Sequence, residues 1–184
     1  MKAFWRFFGL AVALSLAAGC TDANPYLVIL YNKAPDETCL ITDEVGGIFF
    51  SRGTLDLSAP TSGIYEFHPL VANESFATTD PARNLMRVQG ADIELLPGSN
   101  ARSVEVLPPS FDRFRSQRTY NTIAAGDVGL VSYPLVDSTQ YAALAGSVAL
   151  DETVTIVART RVFGILNDNE IASSWIDYPI DLCV

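Results

Sequence analysis

The side chains able to do chemistry in this chain are few. Arg113, Arg115 and Arg118 form the one basic cluster in an acidic sequence, interleaved with Phe111, Phe114 and Tyr120. A guanidinium offers a planar fork of donors that matches a carboxylate or phosphate, and it stacks on aromatic rings. The cluster is therefore the candidate partner-binding patch, suited to a carboxylate, a phosphate headgroup or an acidic surface. The competing reading is a loop whose arginines pair with the domain's own acids. Trp175 joins the candidates: exposed, it would be a contact residue; covered by the loop, it would be ordinary packing.

His68 is the only histidine and precedes Pro69 in a strand-like run. Catalysis would need a nucleophile and an orienting acid beside it, yet no G-x-S-x-G occurs. One histidine cannot make a two-histidine metal motif. A structural or surface role is expected, with no catalytic residue. Asp36-Glu37, Asp43-Glu44, Asp151-Glu152 and Asn167 to Glu170 are oxygen-rich, as calcium sites are. None has EF-hand spacing, and turn chemistry accounts for Asn167 to Asn169. No metal and no cofactor is expected.

Three cysteines remain, Cys20, Cys39 and Cys183. Cys20 ends the stretch Leu14-Ser15-Leu16-Ala17-Ala18-Gly19-Cys20. Upstream, Lys2 and Arg6 give a basic start, and residues 7–19 are apolar except for Ser15. The run is too short for a transmembrane helix, which takes about 20 residues. It has the layout of a secretory signal. Ala17 and Gly19 suit ordinary cleavage between small residues. The same exit, followed by Cys20, resembles the lipobox of bacterial lipoproteins. That resemblance implies a diacylglyceryl group on the Cys20 sulfur and cleavage before it. It implies residues 1–19 as signal peptide, 20–25 as a short lipidated tether and 26–184 as one domain. It also implies anchoring in the bacterial cell envelope, with the outer membrane as the expected site. If Cys20 carries lipid, Cys39 and Cys183 are left to pair, which suits an oxidising compartment. The alternative is two independent thiols.

Loss of Lys2 and Arg6 with the signal leaves ten bases against 21 acids, a formal charge of −11. This excludes nucleic acid as a partner, since a phosphate backbone demands a basic surface. It also excludes a polybasic membrane-binding face. Five extended residues after Cys20 reach about 18 Å at most, so a tethered domain would sit close to the bilayer.

Short apolar runs alternating with turn residues indicate an all-β domain. The strongest pattern lies at the C-terminal end. Val154, Ile156, Ala158, Thr160 and Val162 share one parity, with Arg159, Arg161 and Phe163 on the other. Asn167 to Asn169 form a turn. Ile176, Tyr178, Ile180 and Leu182 then alternate against Trp175, Asp177 and Asp181. Period two over this length predicts a long antiparallel hairpin with one face buried. Pro179 should lie at an edge or bulge. Asp92 and Glu94 fall opposite Ile93 and Leu95 in another strand. Asp137 or Ser138 caps one short helix near 138–145, closed by Gly146. The segment 101–107 reads as a short strand, and 110–126 as a long loop with one helical turn.

The fold class expected is an antiparallel β-sandwich of about eight strands, immunoglobulin- or fibronectin-like in general shape. The tail from Val157 to Cys183, with the stretches Gly53 to Asn73 and Asn84 to Leu95, resembles a group of uncharacterised bacterial envelope lipoproteins. That resemblance carries a β-sandwich and no activity. The function expected is a lipid-anchored binding or structural module, not an enzyme. Its partners would be the membrane, through the lipid, and an envelope protein or glycan. A ligand carrier with a β-barrel cavity, or an envelope enzyme with an unrecognised site, are the alternatives.

Overall fold

The computed structural model describes residues 27–32, 51–58, 65–75, 84–99, 101–107, 113–117 and 122–184. Cys20, Cys39 and Arg118 lie outside the described residues, as do Asp36-Glu37 and Asp43-Glu44.

The long period-two segments form the strands they predict. β10 (Thr153–Leu166) turns through Asn167 and Asp168 into β11 (Asn169–Ala172), and β12 (Ile176–Cys183) follows. Both turn residues have positive φ, 51° and 63°. A two-residue turn with both central residues left-handed matches the twist of its strands, and Asn and Asp tolerate that conformation. β10 pairs antiparallel with β5 (Met86–Pro97) on one side and with β11 and β12 on the other.

Around this centre lies a seven-stranded sheet. Its main path is β2 (Gly53–Asp56), β12, β10, β5 and β6 (Phe114–Gln117). β11 joins β10, and β7 (Thr122–Ile123) joins β5. β2 runs parallel to β12, the one parallel pair among the described strands. It covers β12 only from Ile180 onward. Pro179 therefore sits where that side of β12 has no described strand partner, which suits a residue lacking an N–H.

The smaller sheets are β1 (Leu27–Asn32), β4 (Pro69–Asn73) and β8 (Val128–Leu130), and the pair β3 (Tyr65–Phe67) and β9 (Tyr133–Val136). Their apolar side chains pack with the inner face of the large sheet. Leu27, Phe67, Val71, Tyr133 and Leu135 share one buried cluster with Ile93, Ile156, Ala158, Tyr178, Ile180 and Leu182. Burying such a side chain contributes about 1.5–3 kcal/mol. The fold is an all-β sandwich whose sheets do not close into a barrel.

Twelve strands are described where about eight were expected. The extra ones are short, such as Thr122–Ile123, and too brief to show a period. The 110–126 region contributes β6 and β7 to the sheet, and no helical turn appears among its described residues. The segment read as a strand at 101–107 is instead a helix, α1 (Ala101–Val106). Arg102 fixes it, bonding Glu105 within the helix and Glu152 and the Ser147 carbonyl outside it. The other helix, α2 (Ser138–Ala145), is the one predicted. Asp137 accepts from the Thr139 and Gln140 backbone N–H groups, and the Gln140 side chain accepts from the Asp137 N–H, a complete capping box.

The polar contacts inside the sandwich are paired. Tyr65 and Tyr178 place their hydroxyls 3.2 Å apart. Burial, then the Tyr178 hydrogen bond, raises the Tyr65 phenol well above its ordinary range. Gly53 makes room for it, since a Cβ there would lie 2.0 Å from the Tyr65 hydroxyl. Thr160 bonds both the Tyr133 hydroxyl and the Asp92 carbonyl.

Candidate binding site

The outer face of the large sheet carries charges in cross-strand rows. Register sets Arg161 of β10 opposite Asp92 of β5, and Asp92 opposite Arg115 of β6. The next row pairs Arg159 with Asp177 and Glu94. Opposite charges in direct register stabilise a sheet, and like charges there destabilise it.

Asp92 is the centre. It is 4% exposed, so its carboxylate has lost water and needs partners. Arg115 supplies Nε at 2.7 Å and Nη2 at 3.4 Å. Arg161 supplies Nε at 3.0 Å. Burial alone would raise the Asp92 pKa. The two hydrogen-bonded guanidiniums outweigh it, and the carboxyl is held below the usual range. Arg115 is raised in turn, chiefly by its bond to Asp92. It also reaches Glu170 at 3.4 Å.

The aromatic residues support the same guanidiniums. The Arg115 carbon Cζ lies 4.1 Å from the Phe163 ring centroid. Phe163 has space because Gly90 opposes it; a Cβ on Gly90 would lie 2.9 Å from the Phe163 ring. The Trp175 ring receives two guanidiniums, Arg113 at 4.6 Å and Arg161 at 4.7 Å. Each such contact contributes about 0.5–2 kcal/mol, more when desolvated.

A bulge sets the position of Trp175. Phe163 pairs with Ala172, but Thr160 pairs with Ile176. Three residues, Ser173, Ser174 and Trp175, therefore face two on β10. Such an insertion bends a strand and re-aims a side chain. Ser173 repairs the ladder, since its N–H donates to the Val162 carbonyl and its hydroxyl accepts from the Val162 N–H.

Arg113, Arg115 and Trp175 thus meet on one face. Arg115 behaves as the self-pairing reading expects, held by Asp92 and Glu170. Arg113 does not: it is exposed and forms no ion pair among the described residues. Trp175 is half-buried, covered by arginine side chains. Asp92, Arg161 and Phe163 complete the arrangement and were not among the sequence candidates. Their parity put them on this face, but their meeting depends on β5–β10 register.

The other candidates lie apart. His68 is 3.9 Å from Glu66. Burial lowers its pKa, partly opposed by Glu66. Glu152 is committed to Arg102 and the Ala149 N–H. Among the described residues no group of three or more His, Cys, Asp or Glu could hold a metal. No described helix is long and apolar enough to cross a membrane. Cys183 forms no disulfide with a described residue, and its Sγ approaches the Leu55 carbonyl at 3.7 Å. No protein-family model matches this chain, and no curated protein matches it.

Proposed function

We propose that this protein is a lipid-anchored binding module of the bacterial cell envelope, fastened through Cys20 and presenting the β6–β5–β10 face to its partner. The binding half of this reading rests on one observation. Arg113, exposed, lies over Trp175 and has no acid partner among the described residues, whereas every other described arginine on the sheet forms an ion pair. A matched charge stabilises the fold, whereas a guanidinium stacked on an aromatic ring, with no acid beside it among the described residues, suits contact with a second molecule.

The anchoring half rests on the lipobox-like exit and the short tether. Six residues separate Cys20 from Leu27, where β1 begins. Leu27 pairs with Asn73, whose side chain bonds the Asn84 and Ile123 carbonyls. Ile123 and Leu166 both pair with Met86 at this end. Arg161 is five residues along β10 from Leu166, about 17 Å at strand rise. An anchored domain would therefore carry the arginine face near the bilayer, within reach of membrane-surface partners.

We assign no catalytic residue, and the sheets lack the barrel closure that the carrier reading requires. Cys39 and Cys183 are proposed to pair, tying the segment between β1 and β2 to β12. Crosslinking in intact envelopes followed by pulldown tests the whole reading. The wild type should recover a discrete partner from the membrane fraction. Cys20→Ala should lose the fraction, and Arg113→Glu the partner. Equal recovery by Arg113→Glu would reject the face.

A further inference from the structure

We infer that Arg113 and Arg161, gathered on Trp175, form a site for one carboxylate group on a small organic acid; this rests on the binding-face reading above.

The protein's own Asp92 provides the template. One carboxylate there bridges two guanidiniums from neighbouring strands, Arg115 at 2.7 Å and Arg161 at 3.0 Å. Arg161 uses its Nε in that bridge, and a guanidinium has five N–H donors. On its other side Arg161 meets the Trp175 ring, and Arg113 meets the same ring. The row therefore alternates, with a carboxylate between Arg115 and Arg161 and an aromatic ring that Arg161 and Arg113 share. At the edge of that ring, a carboxylate accepting from Arg113 and from the outer N–H groups of Arg161 would repeat the Asp92 arrangement.

Charge decides the size of the ligand. The mature chain would carry −11 overall. An extended acidic polymer meets that field along its whole length. A single carboxylate on a compact body meets mainly the charges within about 8 Å at physiological salt. There the described charges balance: Arg113, Arg115, Arg159 and Arg161 stand against Asp92, Glu94, Glu170 and Asp177, so the field at the site is far weaker than the overall charge implies. Trp175 is half-buried, and its ring would offer apolar contact for the rest of a small acid.

Trp175 makes the test direct. The chain has two tryptophans, Trp5 and Trp175, so the full-length Trp5→Phe protein reports on this site alone. Propionate, a single carboxylate on a small apolar body, is titrated against its fluorescence at constant ionic strength, with chloride and inorganic phosphate as parallel arms. The inference predicts a saturable change with propionate and only a linear drift with chloride. Arg113→Gln, at an exposed position, should raise the midpoint about tenfold, the cost of one charge-assisted hydrogen bond. Arg52→Gln, on the far edge at β2, should leave it unchanged. A propionate response no different from chloride overturns the inference. So does an unchanged midpoint in Arg113→Gln. Tighter binding of phosphate than of propionate overturns the carboxylate assignment. No propionate binding, with a crosslinked partner still recovered by wild type and lost in Arg113→Glu, would sink this inference and leave the binding face standing, so the two failures are separable.

Discussion

Asp92→Asn is the sharpest perturbation of the arginine face, because it keeps the shape of the side chain and removes its charge. The carboxylate is 5% exposed and accepts three N–H bonds, at 2.7, 3.0 and 3.4 Å. Asparagine keeps one acceptor oxygen and turns an amino group toward a guanidinium. At least one charge-assisted bond is lost, worth about 1.5–3 kcal/mol. Arg161, 14% exposed, is also left without its counter-charge; breaking a buried pair costs about 3–5 kcal/mol. Arg115 is more exposed and retains Glu170, so its share is small. A net loss of about 3 kcal/mol follows, a large part of the roughly 5–15 kcal/mol that holds a domain together. For a domain of this size Tm should fall by about 6–12 °C. The loss also depends on pH. Asp92 has a folded pKa below its unfolded value, so the wild-type stabilisation is fully present above the unfolded value, about 3.9. It is lost as pH falls through the folded value. The gap between wild type and Asp92→Asn, read from denaturant melts by circular dichroism, should be widest at neutral pH and shrink in acid. A neutral-pH difference below about 0.5 kcal/mol, the scale of an ordinary surface change, would mean that the Asp92 bridge does not stabilise the sheet.

Two further outcomes follow from the fold. Gly53→Ala would set a Cβ 2.0 Å from the Tyr65 hydroxyl and press on the Tyr65–Tyr178 contact; overpacking of this kind should cost about 1–3 kcal/mol in a urea melt. If Cys39 and Cys183 pair, peptide mapping without reduction should find their peptides joined, and reduction should lower stability by about 4–5 kcal/mol for so long a loop; both cysteines alkylated without reductant would reject the bond.

The legible parts of this fold were those governed by local period. The parity of Val154 to Val162 on β10 puts each of those side chains in the core, and Asp137 caps a helix through bonds within three residues. α1 shows where that reasoning fails. Val104 and Val106 mimic strand alternation, yet Val104 is 62% exposed and Val106 is buried. There Arg102 pins the segment to Glu152 from 50 residues away. The arginine face was half legible. Arginines near aromatics, and Trp175 on a polar face, are local facts. That Arg161 would meet Asp92, and that Ser173 to Trp175 would bulge, depends on pairings between distant strands. No single-strand pattern encodes that register.

We propose above that the chain is cut and acylated at Cys20 and holds its arginine face at a membrane. Intact-mass measurement of the protein extracted from cells tests this most directly. The expected result is a chain beginning at Cys20 with added diacylglyceryl mass, recovered in the membrane fraction. A mature chain beginning at an unmodified Cys20 would contradict it, as would cleavage elsewhere.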